Sequence, residues 1–201
     1  MKQNSFLFNI DIPTGNEPAV GSLLVAEPFL RESYFNHAVI VMVDYEPGMS
    51  AMGVVVNNPS EYTLQDVIDS VKVETPIPVY CGGPVGSDRL YFLHTLGDLI
   101  PDSTRLADGL WLGGDFDALL SIINDGYDIN GRLRFFLGYS GWTAGQLENE
   151  IAQRVWAVGR LDMDPHILFE TDGNKTWHSA VSALGPAFKG WFYHPKDVIA
   201  N

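Results

Sequence analysis

The sequence predicts an α+β fold built on a mixed, largely antiparallel sheet. Short β-branched segments separated by turn residues recur along the chain, and only a few helical patterns lie between them. Hydrophobic residues make up 46% of the 201 residues, which is enough for a substantial core. Sheet-rich folds reach ~200 to 250 residues as one unit. We therefore expect a single domain over residues 21–201, preceded by an irregular lead-in, residues 1–20, in which prolines and a glycine disfavour a helix.

The first three predicted strands are GSLLVA at 21–26, HAVIVMV at 37–43 and AMGVVVN at 51–57. Each is short, β-branched and bounded by clusters of turn residues, as buried strands are. The break between the second and third strands contains Pro47-Gly48, a dipeptide that favours a turn. We expect these two strands to form an antiparallel hairpin.

The later strands are predicted from shorter apolar segments. Two of them, 78–81 and 90–95, flank the turn GGPVGSD in the manner of a hairpin or a crossing pair of strands. Polar and apolar residues alternate at the start of 131–142, which predicts a strand with one face partly wet. The remaining candidates are LWL at 110–112, WAVG at 156–159 and HILF at 166–169.

Four helices are predicted, three of them from simple start and stop signals. The first spans 63–71, begins at a threonine N-cap and has apolar residues at spacings of three and four. Asp115 caps the second helix, which stops at Gly126. The last helix, 175–184, ends at a Gly-Pro pair.

The remaining helix follows Trp142 and can be derived in detail from the residue types. With Thr143 as the N-cap, Gln146 occupies the third helical position and completes a capping box. Trp142 and Leu147 then have the spacing of a hydrophobic staple. The residues expected to face water are Glu148, Glu150 and Gln153.

The acidic balance of the chain argues against partners that present a phosphate surface. Twelve Lys and Arg against 25 Asp and Glu give a formal net charge of -13. A field of that sign repels nucleic acid and anionic membranes at long range. The longest apolar run, 38–43, is far shorter than the ~18 residues that would suggest a membrane-spanning helix. We therefore expect no direct nucleic-acid binding and no membrane insertion.

Cys81 is the one cysteine of the chain, which excludes an internal disulfide and a Cys-rich zinc site. A thiol without a partner fits a reducing compartment. The N-terminus has neither a sustained apolar stretch nor a small-residue cleavage site, so we interpret it as mature sequence and expect a cytoplasmic protein. We expect Cys81 to be a buried, inert thiol; a redox or nucleophilic role would require a nearby cation or helix start that lowers its pKa.

The segment 138–141, GYSG, invites comparison with a nucleophile elbow because Ser140 lies between a strand and a helix. That pattern requires a second glycine where this chain has Trp142, so a structural turn is the favoured interpretation. The backbone amides of neighbouring glycines could bind an anion, but no glycine run matches a P-loop or a dinucleotide fingerprint.

The five histidines are scattered and lack the spacing of a zinc-binding helix, so we predict no metal site and no cofactor. His94 ends an apolar strand, where a hydrogen-bonded core or edge residue is favoured over a ligand.

Several segments taken together resemble the bacterial YqgE/AlgH family. They are GSLLVAEPFL at 21–30, FNHAVIVMV at 35–43, AMGVVVNNP at 51–59, YCGGPVGSDRLYFLH at 80–94, GLWLGGDFDAL at 109–119 and RFFLGYSGWTAGQLENEI at 134–151. The resemblance covers most of residues 21–160. It implies a single-domain α+β fold whose sheet is bent into a partial barrel and flanked by a few helices. It also implies a family in which some members are described as transcriptional regulators, and it implies no established catalytic residues.

The chain departs from the family's pattern at three places. Arg31-Glu32-Ser33 stands where acidic residues are common, Asn58 replaces a basic residue, and Asp44-Tyr45 replaces a Glu-His pair that often ends the second strand. A function that depends on that histidine or on that basic side chain is put in question for this chain.

The leading hypothesis is a non-enzymatic cytosolic binding or regulatory protein that acts on transcription, if at all, indirectly. Its partner would be an unidentified protein or small molecule. Family-matching residues concentrate in turns rather than in core positions, which indicates a binding surface. The candidate residues of that surface are Asn57, Gly82, Gly83, Tyr139, Ser140, Gly141 and Trp142. The alternative is an enzyme with an unrecognised site near the Gly-rich turn, either hydrolase-like or thiol-dependent.

Overall fold

Ten strands run through the part of the chain that the computed structural model describes, which is residues 16–32, 34–161 and 164–194. In chain order they are β1 (Leu23–Ala26), β2 (Val39–Glu46), β3 (Ser50–Val55), β4 (Pro59–Thr63), β5 (Pro78–Cys81), β6 (Val85–His94), β7 (Thr104–Ala107), β8 (Leu110–Leu112), β9 (Leu133–Trp142) and β10 (Trp156–Gly159). The helices are α1 (Leu64–Val67), α2 (Phe116–Asn124), α3 (Gln146–Ala152) and α4 (Gly173–Leu184), with 3-10 helices at Pro165–Phe169 and Pro186–Tyr193. Most of the predicted lead-in and Ser33 lie outside the described residues.

All ten strands join one open sheet. Its main order is β10-β1-β2-β3-β9-β6-β8-β7, with β4 and β5 attached beside β9. Paired strands are antiparallel, except that β5 and β9 are parallel. The predicted α+β class and the mixed, largely antiparallel sheet are confirmed. Because the sheet does not close, a partial barrel describes it only loosely. No helix in the described ranges is long and apolar enough to cross a bilayer.

β9 is the central strand because three others pair with it. On one edge it pairs with β6 from Leu133 to Tyr139; on the other it pairs first with β5 and then with β3. Of the two arrangements expected for 78–81 and 90–95, the hairpin is therefore wrong, since β5 and β6 lie on opposite edges of β9.

Both faces of the sheet are covered. On one face, α4 and the two 3-10 helices pack against β1, β2 and β9. On the opposite face, α3 covers the half that contains β1, β2 and β3, while α1 and α2 cover β5, β6 and β9. The prediction of a partly wet face for 131–142 is wrong for Leu133–Phe136, which are buried on both faces, but it holds further along β9, where one face carries the half-buried Leu137 and Tyr139 and the exposed Gly141.

Local signals placed most helix ends correctly. Asp115 accepts hydrogen bonds from the backbone N–H groups of Asp117 and Ala118 at 2.9 and 3.0 Å, so it caps α2 as predicted. The Pro47-Gly48 turn joins β2 and β3 in the expected antiparallel hairpin.

Two predictions of secondary structure were wrong in type or length. HILF at 166–169 belongs to a 3-10 helix that starts at Pro165, since a short apolar run does not distinguish a strand from a buried helical turn. The helix predicted at 63–71 is a single turn, α1, because Ile68 takes extended backbone angles.

α3 begins two residues later than expected. Its N-cap is Gly145, and only half of the predicted capping box forms, with the Thr143 N–H donating to Gln146 Oε1 at 3.1 Å. The Thr143 hydroxyl donates to the same oxygen instead of accepting from the helix backbone. Trp142 and Leu147, the predicted staple pair, lie in one buried cluster.

Candidate functional site

The predicted binding residues meet where β9 passes the loop that follows β5. A Cβ atom on Gly83 would lie 2.1 Å from the Tyr139 carbonyl carbon, and one on Gly82 would lie 2.3 Å from the Gly138 oxygen. Gly138 itself has a φ of +70°, which favours glycine, within a stretch where the pairing of β6 and β9 is irregular. The backbone at Gly82 and Gly83 therefore passes directly against the backbone of β9.

Ser140 and Trp142 point into the interior rather than to solvent. Ser140 is 1% exposed, and its hydroxyl donates to the Gly82 carbonyl at 3.3 Å. A serine that is buried and used in this way cannot reach a substrate, so the geometry favours a structural role. The predicted turn at 138–141 is itself wrong, because these residues lie within β9. Trp142 is also buried, and its indole N–H donates to Glu150 Oε2 at 2.8 Å.

Glu150 was expected to face water, and that prediction is wrong. Its Oε2 atom also accepts from the indole N–H of Trp156 at 2.7 Å, so one half-buried carboxylate joins the end of β9, α3 and the start of β10. A carboxylate oxygen has lone pairs for two donors, and both indoles are thereby satisfied.

Asn57 is buried and makes three hydrogen bonds. Its side-chain oxygen accepts from Val39 N at 2.8 Å, and its amide nitrogen donates to the carbonyls of His37 and Gly173 at 2.8 and 3.0 Å. These bonds fasten the start of β2 and the start of α4 to the end of the β2–β3 hairpin.

Of the seven predicted residues, only Gly141 is exposed and only Tyr139 is half-buried. The Tyr139 ring packs edge-on against Tyr91, with centroids 6.0 Å apart. Six of the seven residues therefore lie at or near one buried junction, where β9 passes the loop that follows β5. Asn57 lies at a separate junction, which it forms with the start of β2 and the start of α4. The first junction offers little side-chain surface to a ligand.

The remaining candidate nucleophile and base are also held in structural roles. Burial raises the pKa of the half-buried Cys81 thiol, which disfavours the reactive thiolate. His94 is fully buried; its Nδ1 accepts from Leu96 N, so its Nε2–H donates to the Gly113 carbonyl at 2.8 Å. Within the described ranges, no group of three or more His, Cys, Asp or Glu side chains is arranged to hold a metal ion.

A cavity of about 360 Å³ lies at the amino ends of β5 and β9 and is called here the Arg134 cavity. Its buried wall comes from Tyr80, Ile123, Leu133, Arg134 and Phe169. The segment that leads into β5 forms one side, and the loop that joins α2 to β9 forms the other. The outer residues on these two sides are Val73, Thr75, Pro76, Ile77, Pro78, Gly126, Tyr127, Asp128, Ile129, Asn130 and Gly131, and Thr171, which lies between Phe169 and α4, completes the lining.

Arg134 is the charged group of the buried wall and is 4% exposed. Its Nη1 donates to the carbonyls of Val56 and Leu168 at 2.7 and 2.9 Å, and its Nη2 donates to the carbonyl of Glu170 at 2.9 Å. Burial lowers the pKa of Arg134 to about 10, while Tyr80 and Glu170 act in the opposite direction. The guanidinium therefore stays charged at neutral pH.

The rim of the cavity is polar and carries charges of both signs. Arg132 Nη1 donates to the Tyr127 hydroxyl at 2.7 Å, which places a second cation beside the opening. Asp128 lies on the rim, where its carboxylate accepts from Asn130 N at 3.0 Å. An apolar interior with one fixed cation and a polar rim is suited to holding a small molecule in one orientation.

The residue pattern around Arg134 predicts a side chain that faces solvent, which is wrong because Arg134 is buried. Arg132 and Arg134 alternate with apolar residues, as side chains on the solvent face of a strand do. The contrary signal was the unbroken apolar run after Arg134, which is typical of a strand buried on both faces.

The chain is similar to a family of bacterial proteins over nearly its whole described length. The family described as DUF179, AlgH-like, matches residues 23–189. A protein of Parabacteroides distasonis called UPF0301 protein is 40% identical over 185 residues, which is 92% of each chain. One of Bacteroides fragilis with the same type of name is 38% identical over 180 residues, 89% of each chain.

Two solved structures are similar in fold. The solution structure of the AlgH protein from Pseudomonas aeruginosa aligns with a TM-score of 0.64 at 30% identity and covers 92% of this chain and 94% of that one. A crystal structure of a protein from Corynebacterium diphtheriae aligns with a TM-score of 0.69, covering 92% and 96% of the two chains. At 24% identity, the second similarity concerns the fold alone.

Proposed function

The chain belongs to the AlgH-like family, and we propose that it is a non-enzymatic binding protein that holds a small organic ligand in the Arg134 cavity. The observation that carries this proposal is the cavity itself. Its volume of about 360 Å³ falls in the range of small-molecule sites, which are mostly apolar with a few placed polar groups.

The proposal of binding rather than catalysis is supported by where the nucleophiles and bases lie. Ser140 and His94 are buried in hydrogen bonds to backbone carbonyls, and burial keeps Cys81 in its protonated form. None of the three lines the Arg134 cavity. A ligand held there would therefore meet an arginine, tyrosines and apolar side chains.

We further propose that the protein works in the cytosol and acts on other proteins. The formal charge of -13 opposes contact with nucleic acid, so an effect on transcription would be indirect. In this proposal a protein partner contacts the exposed rim of the cavity and binds differently when the cavity is occupied and when it is empty.

The test is a fragment screen followed through the amide NMR spectrum of the whole chain. Binding should shift the resonances of Tyr80, Ile129 and Gly131, which lie around the cavity. Thr75→Trp places bulk on the exposed rim and should weaken these shifts. Thr104→Trp, on exposed β7 and outside the cavity lining, is the matched control and should leave them unchanged. Fragments that bind only elsewhere, or no fragment binding at all, would contradict the proposal.

A further inference from the structure

We infer that the ligand of the Arg134 cavity is an organic anion with one negatively charged head, a carboxylate, on an apolar body. The inference rests on the proposed binding function and adds the chemical class of the ligand. Its basis is the state of the Arg134 side chain, the composition of the cavity wall and the charges around the rim.

Arg134 carries a buried positive charge without a close carboxylate. Among the described residues, no Asp or Glu oxygen lies within 4.0 Å of its guanidinium nitrogens. Its hydrogen bonds go to three carbonyl oxygens, which are dipoles and carry no net charge. Charged side chains this deeply buried are normally paired with an opposite charge. An anion in the cavity would complete that pairing.

The guanidinium also has N–H groups that the three carbonyls leave available to a ligand. It carries five N–H groups in a planar fork, and the three hydrogen bonds to carbonyls use three of them. The fork geometry matches the two oxygens of a carboxylate, and such charge-assisted pairs are about twice as strong as neutral hydrogen bonds. Because Arg134 is part of the cavity wall, the head of a ligand in the cavity would lie beside this residue.

The rest of the cavity selects the body of the ligand. The wall away from Arg134 is built largely from aliphatic and aromatic side chains, among them Ile77, Ile129, Leu133 and Phe169. A body that gains from burial against such a wall is hydrocarbon or aromatic.

The surrounding charges favour a single negative charge on the head. Arg134 and Arg132 supply two positive charges, while Asp128 on the rim and Glu170, which acts electrostatically on Arg134, supply two negative ones. A ligand with several charges, such as a phosphate monoester, would be repelled by both acidic groups. A monocarboxylate gains the contact with Arg134 at less cost from this repulsion.

The experiment compares acids with their neutral amides on the unaltered full chain. The probes are 3-phenylpropanoate and octanoate, each against its primary amide, with 2-phenylethyl phosphate as a head-group comparison. Affinities are measured by calorimetry, and the site is located by amide NMR. We expect each acid to bind at the cavity about tenfold or more tightly than its amide, and the phosphate to bind less tightly than 3-phenylpropanoate.

The possible outcomes test the anionic nature of the ligand and the binding function of the cavity separately. Equal affinity of acids and amides at the cavity would overturn the anionic ligand and leave the binding function standing. Tightest binding by the phosphate would overturn the carboxylate head. If no probe shifts cavity resonances while unrelated neutral fragments do, the inference fails alone; if nothing binds there, both fail.

A second measurement reports on Arg134 without changing the fold. The side-chain N–H resonances of Arg134 should shift on addition of each acid and stay in place with each amide. Arg134→Lys, which retains the charge and removes the fork, should reduce the preference for acids several-fold, whereas Thr104→Trp should preserve it. Acid binding that leaves the Arg134 resonances unmoved would contradict the assignment.

Discussion

The guanidinium of Arg134 lies over the ring of Tyr80, with its Cζ 3.9 Å from the ring centroid. The ring comes from β5 and the arginine from β9, the one parallel pair of the described sheet. This cation-π contact, added to three carbonyl acceptors, stabilises a charge on a side chain that is only 4% exposed, and it holds the cation at the cavity wall.

Substitutions of Arg134 should lower the free energy of unfolding, and the loss should be larger for a side chain that keeps neither the charge nor the hydrogen bonds. Arg134→Met leaves the buried carbonyls of Val56 and Leu168 without their donor, so we expect a loss of about 2 to 4 kcal/mol in the free energy of unfolding. Arg134→Lys keeps the charge and can still reach part of the acceptor set, so its loss should be smaller. Urea denaturation measures both. A methionine variant as stable as the parent would mean that the desolvation of the charge outweighs its hydrogen bonds.

Gly83→Ala should destabilise the protein by about 3 kcal/mol or more, because the new Cβ would meet fixed backbone of β9 2.1 Å away. Gly48→Ala is the matched control. Gly48 also has a positive φ, +71°, but nothing lies within 4 Å of its Cβ position, so it should lose only about 1 kcal/mol. Thermal and urea unfolding of the two variants would provide the comparison, and equal losses would count against steric contact as the cause.

Glu150→Leu should leave the indole N–H groups of Trp142 and Trp156 without an acceptor. We expect it to lower the free energy of unfolding by about 2 to 4 kcal/mol and to change the tryptophan fluorescence of the folded protein. Glu150→Gln retains an oxygen acceptor and should lose less. If the leucine and glutamine variants were equally stable, the carboxylate would not be acting as the shared acceptor.

His94 should make the protein less stable below neutral pH. Its ordinary pKa is 6.5, and burial lowers the pKa in the folded state, so the unfolded chain takes up this proton first as the pH falls. The stability contribution is therefore complete above about pH 6.5 and decreases as the pH falls towards the folded-state pKa. His94→Gln removes the titration, so the stability gap between parent and variant should narrow from about pH 8 to about pH 5. A gap that stays constant would exclude this linkage.

The sequence predicted the features that depend on neighbours in the chain. Asp115 and Gly126 marked the two ends of α2, and Pro47-Gly48 marked the β2–β3 hairpin, because caps and turns are satisfied within a few residues. The polar strands β4 (PSEYT) and β7 (TRLA) were missed, since they are held by partner strands rather than by their own residue types.

The candidate site could not be predicted in the same way. Tyr80 and Arg134 are 54 positions apart in the numbering and meet only because β5 and β9 pair in parallel. The cavity wall further requires Phe169, from a segment that the sequence assigned to a strand. The turn residues that matched the family were expected to bind, but close passage of β9 accounts for most of them.

The central position of β9 also bears on how the protein is made. β3, β5 and β6 all precede residue 133 in the chain, yet each pairs with β9. While the ribosome is still adding the first two thirds of the chain, these strands have emerged with open edges that can pair with other chains. The joining of β3, β5 and β6 into one sheet therefore waits for Leu133–Trp142, and nascent chains stalled before that strand are the forms that should depend most on chaperones.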